Sequence, residues 1–453
     1  MSRRRAGWWR AWLLAGLLLA VARPLAAAAD LGTIYDDATL QAKAADYREV
    51  VQWNLDNVFL PQMSPAERRA LAGLRLEFPL RGPTRSPFDF LAYAGPRVVL
   101  PLMSIKFLAD ISVAHAWLET NGYAAETVAE YLGMLKYQPA TAGRPPDPRT
   151  ALRIPADATD NPRVDQLSQQ ILNQALTFIL LHELGHVVHA HPGYAPDVPR
   201  AAARENEAEA DRFALEIMRR IGQPPTGIFF FFNAVAYFTP SRGDFASDDA
   251  HAAFMARDTH PIGAARIRAV AAFMRENAGD FAKLQTSVAR ATIAVRHIAD
   301  QLEQIATFLA DPGLQRLAAM RGRAATIEGL APRRPGEVLA APPRGTTGKT
   351  TTADSLAFHG VYDGKITDGT AELDVRFVLE RSAARVTGRY SFGGGEGRLT
   401  GLVEGDGMTF AWRSGDGHGY GRLRLDASGG LAGSWGNGEE AAGGGTIVAR
   451  RAQ

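Results

Sequence analysis

Hydrophobic positions recur about every 3.6 residues from Asp30 to about Ala325 and at every second residue beyond Leu356, so the chain divides into a helical part and a strand part. Tyr47, Val51 and Leu55, spaced four apart, mark the first helix between Asp30 and Pro61. Leu74–Leu80 alternates like a short strand, but Pro79 restricts it to a sheet edge or a bend. Pro87–Asp110 reads as extended stretches about Gly95 and Pro96 that lead into a helix continuing through Trp117. Gln138–Ala158, polar and proline-rich, has the composition of a surface loop. Asp160, Asn161 and Pro162 then supply a cap and a first-turn proline for a helix whose apolar run is Ile171–Ala190. After a turn with three prolines (His191–Pro199) the pattern predicts a second helix over Arg200–Ile221, a buried apolar helix over Thr226–Phe238 and a mobile stretch over Ser241–Ala253. Helical spacing resumes at Ala264, with a break at Asp311 and Pro312.

Ala331–Ser355 is rich in Pro, Thr and Gly and lacks periodicity, as a linker does. Beyond it Val375, Phe377 and Leu379 alternate with Asp374 and Arg376, and Met408, Phe410 and Trp412 alternate likewise. Glycine-rich turns separate about eight short strands. The expected fold is therefore α+β: a mainly helical domain over 30–330, a linker over 331–355, and a small antiparallel barrel or sandwich over 356–453, which resembles a calycin-type barrel.

Composition changes the picture at the start of the chain. Arg3, Arg4, Arg5 and Arg10 precede an apolar stretch, Ala11–Ala22, too short to span a bilayer comfortably, and Ala26–Ala29 supply small residues for cleavage before Asp30. Residues 1–29 are expected to be a secretory signal peptide, which makes the protein exported, periplasmic or secreted, with no stable transmembrane segment after cleavage. Removing the leader takes away five arginines and no acid, and the formal charge falls from +2 to −3. No basic stripe remains to recruit a nucleic acid. Charged residues at 22% and hydrophobic ones at 46% are those of a globular protein. Cysteine is absent, so there is no disulfide framework and any zinc ligands must be His, Asp or Glu, a donor set of catalytic sites.

The candidate chemistry lies in the apolar helix. His182 and His186 in H-E-L-G-H stand one turn apart on one helix face, about 6 Å along the axis, and can grip one Zn²⁺ per chain. Glu183 beside them is placed to take a proton from water on that ion. On a wheel advancing about 100° per residue, Glu207 and Asp211 are the two carboxylates on the otherwise apolar face of the second helix, where an unpaired charge is costly. Glu207 is the expected third ligand and Asp211 the group that orients a ligand histidine; the alternative is a buried ion pair with an arginine elsewhere in the chain. Glu209 points to solvent on this wheel. His189 and His191 compete as ligands, but His189 lies about 10 Å along the axis from His182, too far to share an ion. For an oxyanion partner the sequence offers His260, with Arg266, Tyr237 and His251 behind it.

H-E-L-G-H, then Glu207–Asp211 (an E-x-x-A-D pattern overlapping E-A-E-A-D), then Thr259–Arg266 (T-H-P-I-G-A-A-R) occur in that order. Together they resemble the gluzincin metallopeptidases of the HtpX, CAAX-prenyl protease and BepA kind. The resemblance implies a zincin-like fold, His182, His186 and Glu207 as zinc ligands, Glu183 as general base, Asp211 behind them and His260 near the substrate. Ala92–Pro101 loosely resembles the family's cleft strand, which pairs with extended substrate. The match spans about Phe88–Phe273; the segment before H-E-L-G-H is longer than in the family, and transmembrane helices are absent, as in a soluble exported member like BepA without its repeat domain.

These observations lead to an exported zinc metalloendopeptidase acting on protein or peptide substrates, with unfolded or misassembled envelope proteins implied by the resemblance. A second reading is a zinc-fold adaptor or chaperone-like binding protein whose β domain recognises a protein or small ligand; an intact Glu183 argues against a dead enzyme. A third makes the β domain a glycan or small-ligand binder, which needs exposed aromatics, whereas alternation places Trp412 and Trp435 inward.

Overall fold

The structure is a computed structural model that describes residues 30–452 apart from 94, 139–143, 193–198, 241–243, 246, 258–261, 335–357, 368–371, 383–384, 394, 405–406, 416, 427 and 438–442. Residues 1–29, expected to be a leader, lie outside the described residues. The chain enters through α1 (Asp37–Ala42) and α2 (Ala44–Asn54); α2 runs on through a π-helical turn, Leu55–Phe59, before α3 (Pro65–Ala70). β1 (Arg75–Glu77), β2 (Leu91–Tyr93) and β3 (Arg97–Val99) form a small sheet in the order β1-β3-β2, with β1 parallel and β2 antiparallel to β3. β1 is an edge strand, the place Pro79 allowed it.

Then follow α4 (Leu102–Thr120), α5 (Thr127–Tyr137), α6 (Pro148–Ala151), α7 (Pro162–Val188), α8 (Arg200–Ile221), α9 (Ile228–Phe238), α10 (Asp248–Arg257), α11 (Ala264–Glu276), α12 (Ala278–Ala282), α13 (Val288–Ala310) and α14 (Pro312–Ala324). α7 starts as its sequence dictates: the Asn161 side chain accepts from Arg163 N at 3.0 Å, and Pro162 occupies the first turn. α7 is long and apolar enough by composition to cross a membrane, yet 83% of its most apolar window is buried inside the fold, with His182 to His186 all enclosed. Leu181, Leu184, Phe213, Ile217, Phe232 and Met274 join α7, α8, α9 and α11 in one core, against which α2 and α13 also pack. Met103, Phe107, Ile111 and Tyr131 of α4 and α5 form a second core.

Two stretches differ from expectation. Gln138–Ala158 is not wholly a surface loop: Asp147 caps α6, and Leu152, Ile154 and Ala158 drop into the second core. Its prolines and charged residues hid four core residues, Ala151 among them. Ser241–Ala253, expected to be mobile, contains the start of α10, where Ser247 Oγ accepts from Ala250 N at 3.1 Å and Asp248 and Asp249 occupy the first turn.

The C-terminal part is β4 (Gly360–Thr367), β5 (Glu372–Ser382), β6 (Arg385–Phe392), β7 (Gly395–Glu404), β8 (Gly407–Ser414), β9 (Gly417–Leu425), β10 (Leu431–Asn437) and β11 (Gly445–Arg451). Consecutive strands pair antiparallel, and β11 returns to β4 to close an eight-stranded barrel. The fold is therefore α+β, a helical domain followed by a closed antiparallel barrel. Val375, Phe377 and Leu379 fill the barrel while Asp374 and Arg376 face out, as a two-residue period requires. Phe410 has Gly401 and Gly421 as its cross-strand partners, and a Cβ on Gly421 would collide with the Phe410 ring. Trp412 and Trp435 pack edge to face on the inner side, with centroids 5.5 Å apart. Leu314 and Leu317 of α14 pack on Tyr420 of β9 and tie the barrel to the helical domain.

Candidate metal centre

α7 and α8 come together where the first has no side chain to spare. A Cβ on Gly185 would stand 2.9 Å from Cα and 3.1 Å from O of Ala210, so any larger residue in H-E-L-G-H would push α8 away. That close approach brings Glu207, one turn before Ala210, over both imidazoles. His182 Nε2 and His186 Nε2 are 3.1 Å apart, and the Glu207 carboxylate oxygens lie 3.5 Å from the first and 3.4 Å from the second. All three side chains are buried, and one donor atom from each lies within 4.8 Å of the others.

These spacings fit a metal. Zinc binds nitrogen and oxygen donors at about 2.0–2.2 Å, so the edges of its tetrahedron measure about 3.3–3.6 Å; the two Glu207 separations, 3.4 and 3.5 Å, fall in that range and the His182–His186 separation, 3.1 Å, is slightly shorter. Without an ion, two imidazoles and a carboxylate would have to share protons across those edges. Glu183, next to His182, is buried, and among the described residues its Oε2 has no hydrogen-bond partner. A buried carboxylate oxygen in that state is costly unless a water or ion meets it.

The groups behind the donors fix their orientation. Asp211 Oδ1 lies 2.8 Å from His182 Nδ1; a carboxylate only accepts, so in the neutral ring this contact favours the proton on Nδ1 and the lone pair on Nε2, toward Glu207 and His186. Arg266 of α11 spans both carboxylates of α8: Nε and an Nη reach Asp211 at 2.7 and 2.8 Å, and the other Nη pairs with Glu207 Oε2. Its guanidinium also faces the Phe232 ring, with Cζ 5.7 Å from the centroid. Burial disfavours charge on His182, but the contacts with Asp211 and Glu207 outweigh it and push its pKa up to about 10. Burial pulls His186 down instead. Burial would raise Asp211, yet Arg266 and His182 beside it hold it below the usual carboxylate range.

The structure thus brings His182, Glu183, His186, Glu207, Asp211 and Arg266 into one cluster. Arg266, expected as a substrate or oxyanion contact, is instead engaged by the two α8 carboxylates. It is the arginine of the ion-pair alternative, present together with the metal-like cluster rather than in place of it. Tyr237 sits on α9 with its ring 5.6 Å from Phe308 of α13 and beside Gly133 of α5. His260 lies outside the described residues, and His251 falls in α10 with its side chain undescribed. β2 and β3 lie against α7, and β2 has β3 on one side as its only strand partner among the described residues.

One pair was missed from the sequence. His191 Nδ1 lies 2.9 Å from His186 Nδ1, and His191 Nε2 lies 3.0 Å from Glu209 Oε2. The wheel rightly left Glu209 on the exposed side of α8, but it says nothing about a residue beyond the end of another helix. The only available signal was a fourth histidine in the run, five positions after His186.

Residues 144–284 match the family model for Peptidase U49. No curated protein and no solved structure matches the chain. All three sequence motifs fall inside the matched segment, and the match supports a peptidase acting on proteins or peptides.

Proposed function

We propose that this chain is an exported zinc-dependent endopeptidase of the gluzincin kind, akin to the HtpX and BepA peptidases, that cuts unfolded or misassembled envelope proteins. The observation that carries the reading is the buried His182–His186–Glu207 triangle with a Glu183 oxygen beside it that has no hydrogen-bond partner among the described residues, inside a segment that matches a peptidase family. His182 and His186 through Nε2, and Glu207 through its carboxylate, would hold the ion. Zinc at such a site polarises a carbonyl and brings the pKa of water towards about 7.

Glu183 takes the proton from the water that attacks the scissile carbonyl and returns it to the departing amine. Asp211 keeps the His182 ring turned with Nε2 outward, and Arg266 balances the two carboxylates at the back of the site. An extended substrate would add to the open side of β2, main chain to main chain, which selects unfolded segments over folded ones. His260 is assigned to the oxyanion on the strength of the T-H-P-x4-R spacing alone. The export and substrate assignments rest on the leader and on the motif resemblance.

The test is metal analysis of the purified protein together with cleavage of casein by wild type and Glu183→Gln. One zinc per chain is expected in both, with cleavage reduced about 10²–10⁴-fold in the variant. Undiminished cleavage by Glu183→Gln removes the mechanism. Zinc without cleavage by the wild type returns the adaptor reading.

A further inference from the structure

The C-terminus of α7 ends in a backbone arrangement that costs energy and aims one side chain. His191 N donates to His186 O at 2.9 Å and Ala190 N to Val187 O at 3.1 Å, the paired bonds of a Schellman turn. The residue this turn places in the left-handed region is Ala190, at φ +53°, where glycine is the unstrained choice. The turn folds the chain back so that His191 lies beneath His186, with ring centroids 5.0 Å apart. The His191 side chain is 6% exposed and the His189 ring stacks on it, 5.6 Å away.

The proton positions follow from the outside inward. Glu209 can only accept, so His191 carries its proton on Nε2, 3.0 Å from that carboxylate. In the neutral ring Nδ1 is then an acceptor, and it faces His186 Nδ1 at 2.9 Å. His186 then carries its own proton on Nδ1, which turns the Nε2 lone pair toward His182 and Glu207. Each of the two histidines is thus set by a carboxylate of α8, directly for His182 through Asp211 and through an interposed imidazole for His186.

We propose that His191 and Glu209 form a hydrogen-bonded prop that fixes the ring and tautomer of His186 so that its Nε2 lone pair is turned toward a divalent metal ion held with His182 and Glu207. The inference rests on the metal-binding reading of His182, His186 and Glu207. His191 and Glu209 are positioning residues: they touch neither substrate nor metal and act through His186.

The experiment titrates Zn²⁺ into the full chain against a chromophoric chelator, records the visible spectrum of the Co²⁺-loaded protein, and melts the metal-free protein as a folding control. Wild type should bind one ion. His191→Phe, which keeps a ring but loses the acceptor, should weaken zinc about 10–100-fold and alter the cobalt bands. His191→Asn, whose Oδ1 can accept from His186 Nδ1, should recover most of that loss. Glu209→Ala, a substitution at an exposed site, should weaken zinc about tenfold, the low end of the same range, and it decides the matter if His191→Phe does not fold. Wild-type affinity and an unchanged cobalt spectrum in Glu209→Ala and in a folded His191→Phe overturn the prop. A wild-type chain that takes up neither metal overturns the metal-binding reading and the prop with it.

Discussion

At the scale of single residues, the centre is an arrangement of charges that would be ruinous if any one partner were missing. Glu207 and Asp211 are buried on α8, and the cations facing them are Arg266 and, when protonated, His182. Arg266→Met should therefore destabilise the metal-free protein by about 3–5 kcal/mol, because two buried carboxylates lose their fixed counter-charge. Zinc should restore part of that stability, since bound metal favours the folded state. Denaturant titrations with and without zinc check both; a variant as stable as wild type without metal would mean the carboxylates find other partners. The periodicity of α8 showed which of its acids face inward, since that depends only on 100° steps along one helix. It could not show that Arg266, 55 residues later, reaches them, because that meeting depends on how α11 packs on α8.

At the scale of elements, the site depends on how closely two helices approach. Gly185→Val should cost about 1–3 kcal/mol by forcing α7 and α8 apart, and it should weaken zinc binding as Glu207 is drawn off the imidazoles. Thermal melting paired with zinc titration measures both; unchanged zinc affinity would show that the separation of the helices does not set the ligand geometry. At the other end of the motif, Ala190→Gly should raise stability by about 0.5 kcal/mol. The left-handed turn costs Ala about 1–2 kcal/mol, and the entropy lost by Gly offsets about 0.5–1 of it. A lower melting temperature would contradict the strain argument. The helices themselves were legible in the chain: the cap at Asn161, the proline after it and the apolar run fixed α7 locally. α6 and the start of α10 were not, because short helices carry too few apolar repeats to rise above a polar background.

At the scale of the whole molecule, helical and barrel parts keep separate cores and meet at α14. Deleting 356–453 should leave a folded helical domain that still binds zinc, at the cost of exposing Leu314 and Leu317 where Tyr420 now covers them. Circular dichroism and zinc titration of the shortened chain test this, and a molten or insoluble product would make the parts interdependent. The helical domain should also lose stability in alkali. Burial pushes the Tyr137 hydroxyl up to about 12 and those of Tyr35 and Tyr131 well above the usual range, and Tyr35 further donates to Asp110 at 2.6 Å. A group whose folded pKa is raised contributes stability that is whole below its unfolded pKa, about 10, and is lost as pH rises beyond it. The denaturation midpoint should therefore hold up to about pH 10 and fall from there towards about pH 12; an unchanged midpoint across that window would remove the argument.

The amino-acid sequence by itself determined the division into helical and strand parts, the long motif helix, the two inward-facing acids of α8 and the order of the three motifs. Each is written in short-range spacing, and periods of 3.6 and 2 need no knowledge of the rest of the chain. Tertiary structure alone decided that Arg266 serves the carboxylates, that Ala151, Leu152, Ile154 and Ala158 fill part of a core, and that His191 turns back under His186 to meet Glu209. Those outcomes depend on the approach of helices far apart in sequence, and on one left-handed residue whose effect is a direction in space rather than a pattern in the chain.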